Sequence, residues 1–370
     1  MKTDPADIPE PDRVPGAPHP RMTARVIGQD EAVRDFVDAS RGGRLHHAWL
    51  LTGPRGIGKA TLAWSIARWL LAGTDSDDLS VPGNAPAARR LAALSEPNLQ
   101  LVRRPWDDKT NRLRAEITVE EIRRLLSFFH LSAAEGGRRI AIIDTADDMN
   151  TAAANALLKV LEEPPRDGLI LMIAHQPARL LPTIRSRCRT LRLNPLKPDL
   201  MTKVLSDLGV DQDAVALAAL SGGSVGEALR LAGQDGLKRY QQIVDLFATL
   251  PRMDRIAAAR LAETAAARAN ADGDPFDLTI TLLDRFLTRT ARAGLMGAPL
   301  PQAATGEGAL LARLSPDDRA ARDWAGAQAR LSARARAGRA VNLDPAALVM
   351  DMLTELAHLP PAQSALPATG

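Results

Sequence analysis

The run Gly53-Pro-Arg-Gly-Ile-Gly-Lys59 has the residue types and the spacing to hold a phosphate. Its glycines let successive backbone N–H groups turn inward around an anion, and its lysine neutralises charge. A helix starting there adds the positive end of its dipole. An apolar run, His47-Ala-Trp-Leu-Leu-Thr52, precedes the loop, and an amphipathic stretch with Leu62, Ala63, Ile66 and Leu70 follows it. That is the strand–loop–helix order such a loop needs. The residues expected at a nucleotide are therefore Gly53, Pro54, Arg55, Gly56, Ile57, Gly58, Lys59, Ala60 and Thr61. One component is missing. Ala60 stands where a Ser or Thr hydroxyl would bind Mg²⁺, and Thr61, one residue further along a helix, points about 100° away.

A second element should be an apolar strand ending in a carboxylate that organises the metal, and Ile140-Ala-Ile-Ile-Asp144 supplies it. The next residue is Thr145, whose hydroxyl cannot accept a proton at neutral pH, so the base that would polarise an attacking water is absent. Asp147 lies three residues beyond Asp144 and is expected to cap the following segment instead of replacing that base. Ser186-Arg187-Cys188 sits in a basic run with Arg185 and Arg189, which taken alone reads as surface. Cys188 has no assignable base and is expected to be a small buried packing residue. As the single cysteine it excludes an intramolecular disulfide and any multi-cysteine zinc site. His46 and His47, adjacent on a strand, should face opposite ways, which favours a core or edge role over a ligand pair. Trp64 and Trp69 should pack from the first long helix. Lys159 reads equally as a contact to a DNA phosphate and as part of a solvated helix face.

These residues need elements to position them. Residues 26–195 alternate apolar runs with helical patterns. Strands are predicted at 47–52, 139–144, 169–173 and 190–193, whose continuous apolar runs suit a parallel sheet covered on both faces. Thr118-Val-Glu-Glu121 fits a capping box ahead of Ile122, Leu125, Leu126 and Phe129. Asn150 should cap a helix through Leu157, Leu158 and Leu161 that Pro164-Pro165 stops. From Pro198 onward the pattern is helical, notably over 237–250, 254–267 and 277–293. A glycine-rich break falls at 221–226, and 295–310 reads as a loop. The division expected is a disordered proline-rich tail (1–20), an α/β domain (21–195), a small helical domain (196–238), a larger helical domain (239–358) and a flexible tail (359–370).

Apolar residues make up 45% and charged residues 25% of 370, the profile of a soluble globular chain too long for one core. The longest apolar runs fall far short of a membrane span, and the polar start has no apolar signal region, so a cytosolic protein is expected. The pI near 9.3 permits contact with nucleic acid without establishing it. At 3% aromatics a base-stacking platform is disfavoured, and contacts to DNA phosphates are the form expected.

Five segments together resemble one family: Val26-Ile-Gly-Gln-Asp30, Leu45-His-His-Ala48, the phosphate loop, Asn155-Ala-Leu-Leu-Lys-Val-Leu-Glu-Glu-Pro-Pro165 and Leu181-Pro-Thr-Ile-Arg-Ser-Arg-Cys188. In this order and spacing they are similar to bacterial clamp-loader subunits of the AAA+ superfamily. The resemblance is close over 26–195. Beyond that it holds in layout only, as a small lid domain and a collar domain that joins subunits into a ring. It implies an AAA+ P-loop domain in which Arg187 acts in trans as an arginine finger on a neighbour's ATP. Such a finger is worth ~10³–10⁵ in rate, because guanidinium meets the charge developing on the transferred phosphoryl group. Four departures from the motor pattern, at Ala60, Thr145, the first sensor (near Ala174-His175) and the second sensor (near Gly226-Glu227), make the chain look like the non-hydrolysing delta-prime kind.

That likeness implies loading of a sliding clamp onto primed DNA, within a hetero-pentamer with delta and gamma/tau subunits. ATP and Mg²⁺ would be weak ligands of the degenerate loop and Asp144. A polymerase label carried by such subunits would belong to the complex, since no cluster of carboxylates suggests a polymerase site. Many family members carry a four-cysteine zinc module; residues 72–100 here hold no cysteine, so no zinc is expected. Two other readings remain open. One is a gamma/tau-like motor in which Thr61 and Asp147 restore metal and base, and the other is a ring scaffold with a vestigial site.

Overall fold

The computed structural model describes residues 10, 14, 17–43, 45–130, 137–210, 212–269 and 273–359. Most of the expected tail at 1–20 and all but residue 359 of the one at 359–370 lie outside them. The chain forms two compact units, Met1–Lys197 with Ser224–Glu227, and Pro198–Gly223 with Ala228–Gly370.

The first unit is built on a parallel sheet of β1 (Ala48–Thr52), β2 (Leu99–Arg103), β5 (Arg139–Asp144), β6 (Gly168–Ala174) and β7 (Arg189–Arg192), in the order β2-β5-β6-β1-β7. A two-residue hairpin, β3 (Trp106–Asp107) with β4 (Arg112–Leu113), stands apart from it. Side chains alternate across a strand, and register sorts them into two buried faces. Ala48, Leu50, Ala141, Ile143, Ile170 and Met172 share one face with Ile122, Leu125 and Phe129 of α4 (Val119–His130) and Leu157 and Leu161 of α5 (Thr151–Glu162). Trp49, Leu51, Ile140, Ile142, Leu169 and Leu171 take the other, where α2 (Lys59–Ala72) meets β1, β5 and β6. This is the expected α/β class, a parallel sheet with helices on both faces.

Helix ends follow the sequence signals. Thr118 N donates to Glu121 Oε2 at 2.9 Å, the reciprocal half of a capping box. Asn150 Oδ1 accepts from Ala153 N at 3.0 Å, and α5 ends before Pro164. Trp64 and Trp69 are buried as expected, the latter edge-on to Phe36 of α1 (Asp30–Arg41) at 6.5 Å. Two short helices, α3 (Pro86–Ala92) and α6 (Pro182–Arg185), complete this unit. Strand β2 was not expected. It is the sheet edge and half-buried, with Gln100 and Arg103 interrupting any apolar run.

Among the described residues from Pro198 onward there are only helices: α7 (Pro198–Asp207), α8 (Ala214–Ser221), α9 (Val225–Gly233), α10 (Gly236–Ala248), α11 (Arg255–Ala265), α12 (Pro275–Met296), α13 (Glu307–Leu314), α14 (Asp318–Ala340) and α15 (Pro345–Ala357). The expected loop at 295–310 is shorter, because α13 begins at Glu307. That carboxylate is fully buried, accepting from Tyr240 Oη (2.6 Å), Arg289 Nε (2.6 Å) and Nη2 (2.9 Å), and Ala303 N (2.6 Å). No single helix among the described residues is long and apolar enough to cross a membrane.

Candidate functional site

Strand β1 delivers the chain to Gly53, and α2 opens at Lys59. Between them Gly53, Gly56 and Gly58 have φ of 145°, 73° and 103°, values that side-chain-bearing residues rarely adopt. The turn therefore needs its glycines where the pattern has them. Lys59 is 3% exposed, and its Nζ donates to Gly53 O and Pro54 O, both at 2.6 Å. Burial pushes this amine down to about 8. Asp144 and Asp147 pull the other way, and Arg55 adds to the lowering. The loop thus holds its lysine among backbone carbonyls, with Asp144 and Asp147 favouring its charged form.

The missing chemistry is missing in space too. Ala60 occupies the second position of α2, and Thr61 follows it, half-buried, on the helix. Asp144 ends β5 in a buried position, and its successor Thr145 is buried without a carboxylate to offer. Asp147 does cap a segment, though not the one after it. Its carboxylate accepts from the backbone N–H groups of His175 and of Gln176 (3.3 Å), holding the turn after β6. A side chain committed to two amides is poorly placed to serve as a general base.

His175, in the Ala174-His175 pair near which the first sensor was expected, has its Nδ1 buried without a hydrogen-bond partner. Burial, then Lys59 and Arg55, push the ring down to about 3, so it is neutral at physiological pH. Gly226, near which the second sensor was expected, lies against the loop, its N–H donating to Gly56 O at 3.0 Å.

Arg187 follows α6 and precedes β7. Its Nη2 stands 3.0 Å from Glu162 Oε1 at the end of α5, and its Nη1 donates to Thr183 O at 3.1 Å. The two side chains are 37% and 50% exposed. The neighbouring arginines differ. Arg185 is exposed, and Arg189 lies over the ring of Trp49 at 4.7 Å. Cys188 is only half-buried, but its Sγ donates to Ile184 O at 3.0 Å and burial pushes the thiol up to about 12. It is a packing residue, as expected, set at the margin of the core.

The histidine pair corrects an expectation. Strand β1 starts at Ala48, so His46 and His47 precede it, and their rings stack at 4.3 Å instead of facing apart. His47 Nε2 meets Leu161 O at 3.1 Å. Among the described residues no group of three or more His, Cys, Asp or Glu is placed to hold a metal ion. Lys159 is exposed on α5. Two residues with a part in the site escaped sequence reading: Glu162, visible there only as part of a Glu-Glu-Pro-Pro run, and Ser224, whose hydroxyl donates to Arg55 O at 2.8 Å.

A family model described as DNA polymerase III, delta subunit matches residues 28–197. A DNA polymerase III subunit delta' of Pseudomonas aeruginosa is 40% identical over 230 residues, covering 60% of this chain and 67% of that protein. The subunit delta' of Bacillus subtilis is 33% identical over 195 residues, 52% of this chain and 55% of its own length. A subunit gamma from Buchnera aphidicola is 30% identical over 219 residues, 57% of this chain and 58% of its own.

Proposed function

Since the chain belongs to the DNA polymerase III delta-prime family, we propose that it acts in a clamp loader as the subunit that completes a neighbour's ATP site without turning over ATP itself. Arg187 is the arginine finger. Glu162 and the Thr183 carbonyl park the guanidinium at the surface until a neighbouring phosphate replaces them. The neighbours are gamma/tau and delta subunits, the ring is a hetero-pentamer, the cargo is a sliding clamp, and primed DNA is held through its phosphates. The compartment is the cytoplasm. Residues 196–238 serve as lid and 239–358 as collar.

The observation that carries this reading is the contrast between the chain's own site and its surface. The loop keeps its lysine and glycine geometry but lacks the Mg²⁺ hydroxyl at Ala60 and the base at Thr145, while Asp147 is committed to backbone amides. A nucleotide in the loop would be held by Lys59 and backbone N–H groups, with Asp144 facing a metal that has no hydroxyl ligand from the loop.

Turnover of the isolated chain with ATP and Mg²⁺ tests the first half of the proposal. Phosphate release at background rate is expected. Steady turnover abolished by Lys59→Ala would make the chain a motor.

A further inference from the structure

The tip of the phosphate loop is met by a turn 169 residues downstream. Residues Ser224–Glu227 belong to the first unit, with the loop. Ser224 Oγ donates to Arg55 O at 2.8 Å and accepts from Glu227 N at 3.2 Å, which makes it the cap of α9 as well. Gly226 N, one of the helix-start amides with no partner inside its own helix, donates to Gly56 O at 3.0 Å. With the two bonds from Lys59, the four consecutive carbonyls of residues 53–56 each receive a hydrogen bond from this chain.

The approach leaves no room for side chains. A Cβ on Gly226 would stand 2.8 Å from Gly56 Cα and 3.3 Å from Gly56 O, and one on Gly56 would stand 2.6 Å from Ser224 Oγ. Ser224 itself is buried.

We propose that Ser224 and Gly226 are positioning residues of the phosphate loop, tying down the Arg55 and Gly56 carbonyls so that the loop keeps its phosphate-receiving shape with no ligand bound. The proposal rests on reading 53–61 as a phosphate loop. Ala60 cannot recruit a metal-bound nucleotide to order the loop, and the 224–227 turn does that work instead. Gly226 has a double consequence. It leaves the second-sensor position without a cation, and it lets the backbone close onto Gly56. Any larger residue there would have to push the loop away.

Hydrogen exchange on the full chain without nucleotide tests this, read by mass spectrometry in Ser224→Thr, Ser224→Asp and Gly226→Ala. Thr keeps donor and cap; Asp keeps the cap acceptor and loses the donor. The amide of residue 226, which the wild type ties to Gly56 O, should exchange on the order of tenfold faster in the Asp and Gly226→Ala variants, the scale of one lost hydrogen bond. It should stay near wild type in Ser224→Thr, with α4, α5 and the melting temperature unchanged. Unchanged exchange of that amide in Ser224→Asp and Gly226→Ala would overturn the proposal and leave Ser224 a helix cap alone. So would faster exchange spread over the whole unit with a falling melting temperature. Inorganic pyrophosphate added to the wild type separates the two readings. If it fails to slow exchange at 55–59, the phosphate-loop assignment falls, while the variants decide the positioning role without any ligand.

Discussion

Arg187 directs its guanidinium at the Thr183 carbonyl and at Glu162, both near solvent. An ion pair this exposed is worth ~0–1 kcal/mol, so a phosphate group can displace the carboxylate at little cost. Replacing Glu162 with Gln should therefore change DNA-stimulated ATP turnover of the assembled complex by less than about fivefold, toward faster turnover. A loss as deep as that from removing Arg187 would show that Glu162 itself belongs to the site. Cys188 next door gives a simpler test. Burial pushes its thiol up to about 12, so almost no thiolate exists at pH 8. Iodoacetamide should label it only as the chain unfolds; prompt stoichiometric labelling of the folded chain would contradict that environment.

At the scale of elements, the helical unit is tied together by the buried Tyr240–Glu307–Arg289 cluster joining α10, α12 and α13. Burial pushes the Glu307 carboxyl up, but the Arg289 guanidinium, the Tyr240 hydroxyl and the Ala303 amide together hold it below the usual glutamate range. A depressed folded pKa gives stability that is present above the unfolded value and lost as pH falls through the folded one. Glu307→Gln should thus cost the few kcal/mol (~3–5) of stability that breaking a buried pair costs, seen as a lower melting temperature at pH 7. The gap to wild type should narrow as the pH drops below about 4. A constant gap from pH 7 to pH 3 would contradict the assignment. Elements also show what the sequence could and could not reveal. The loop and the strands flanking it were legible because their signals are local: glycine spacing, an apolar run, a cap. Strand β2 was not, since an edge strand with Gln100 and Arg103 carries no continuous apolar signal. Nor was the start of α13, whose Glu307 finds its partner Arg289 eighteen residues away. Asp147 and Ser224 were misread or missed for the same reason, as their partners lie 28 and 169 residues off.

For the whole molecule, the proposed function puts the chain's chemistry on a surface arginine and leaves its own loop a shaped but non-hydrolysing site. In a reconstituted complex with gamma/tau and delta partners, that division predicts opposite results for two alanine substitutions. A missing finger cripples the one ATP site it completes, by the ~10³-fold or more that such an arginine contributes there, so the complex loses that site's share of turnover. Loss of Lys59 removes charge from a loop proposed not to hydrolyse ATP, so turnover should scarcely change. The decisive measurement is DNA-stimulated ATP turnover of complexes carrying wild type, Arg187→Ala or Lys59→Ala, each shown to assemble fully. A partial loss with Arg187→Ala and near-wild-type turnover with Lys59→Ala are expected; a loss with Lys59→Ala and none with Arg187→Ala would contradict the trans-finger role.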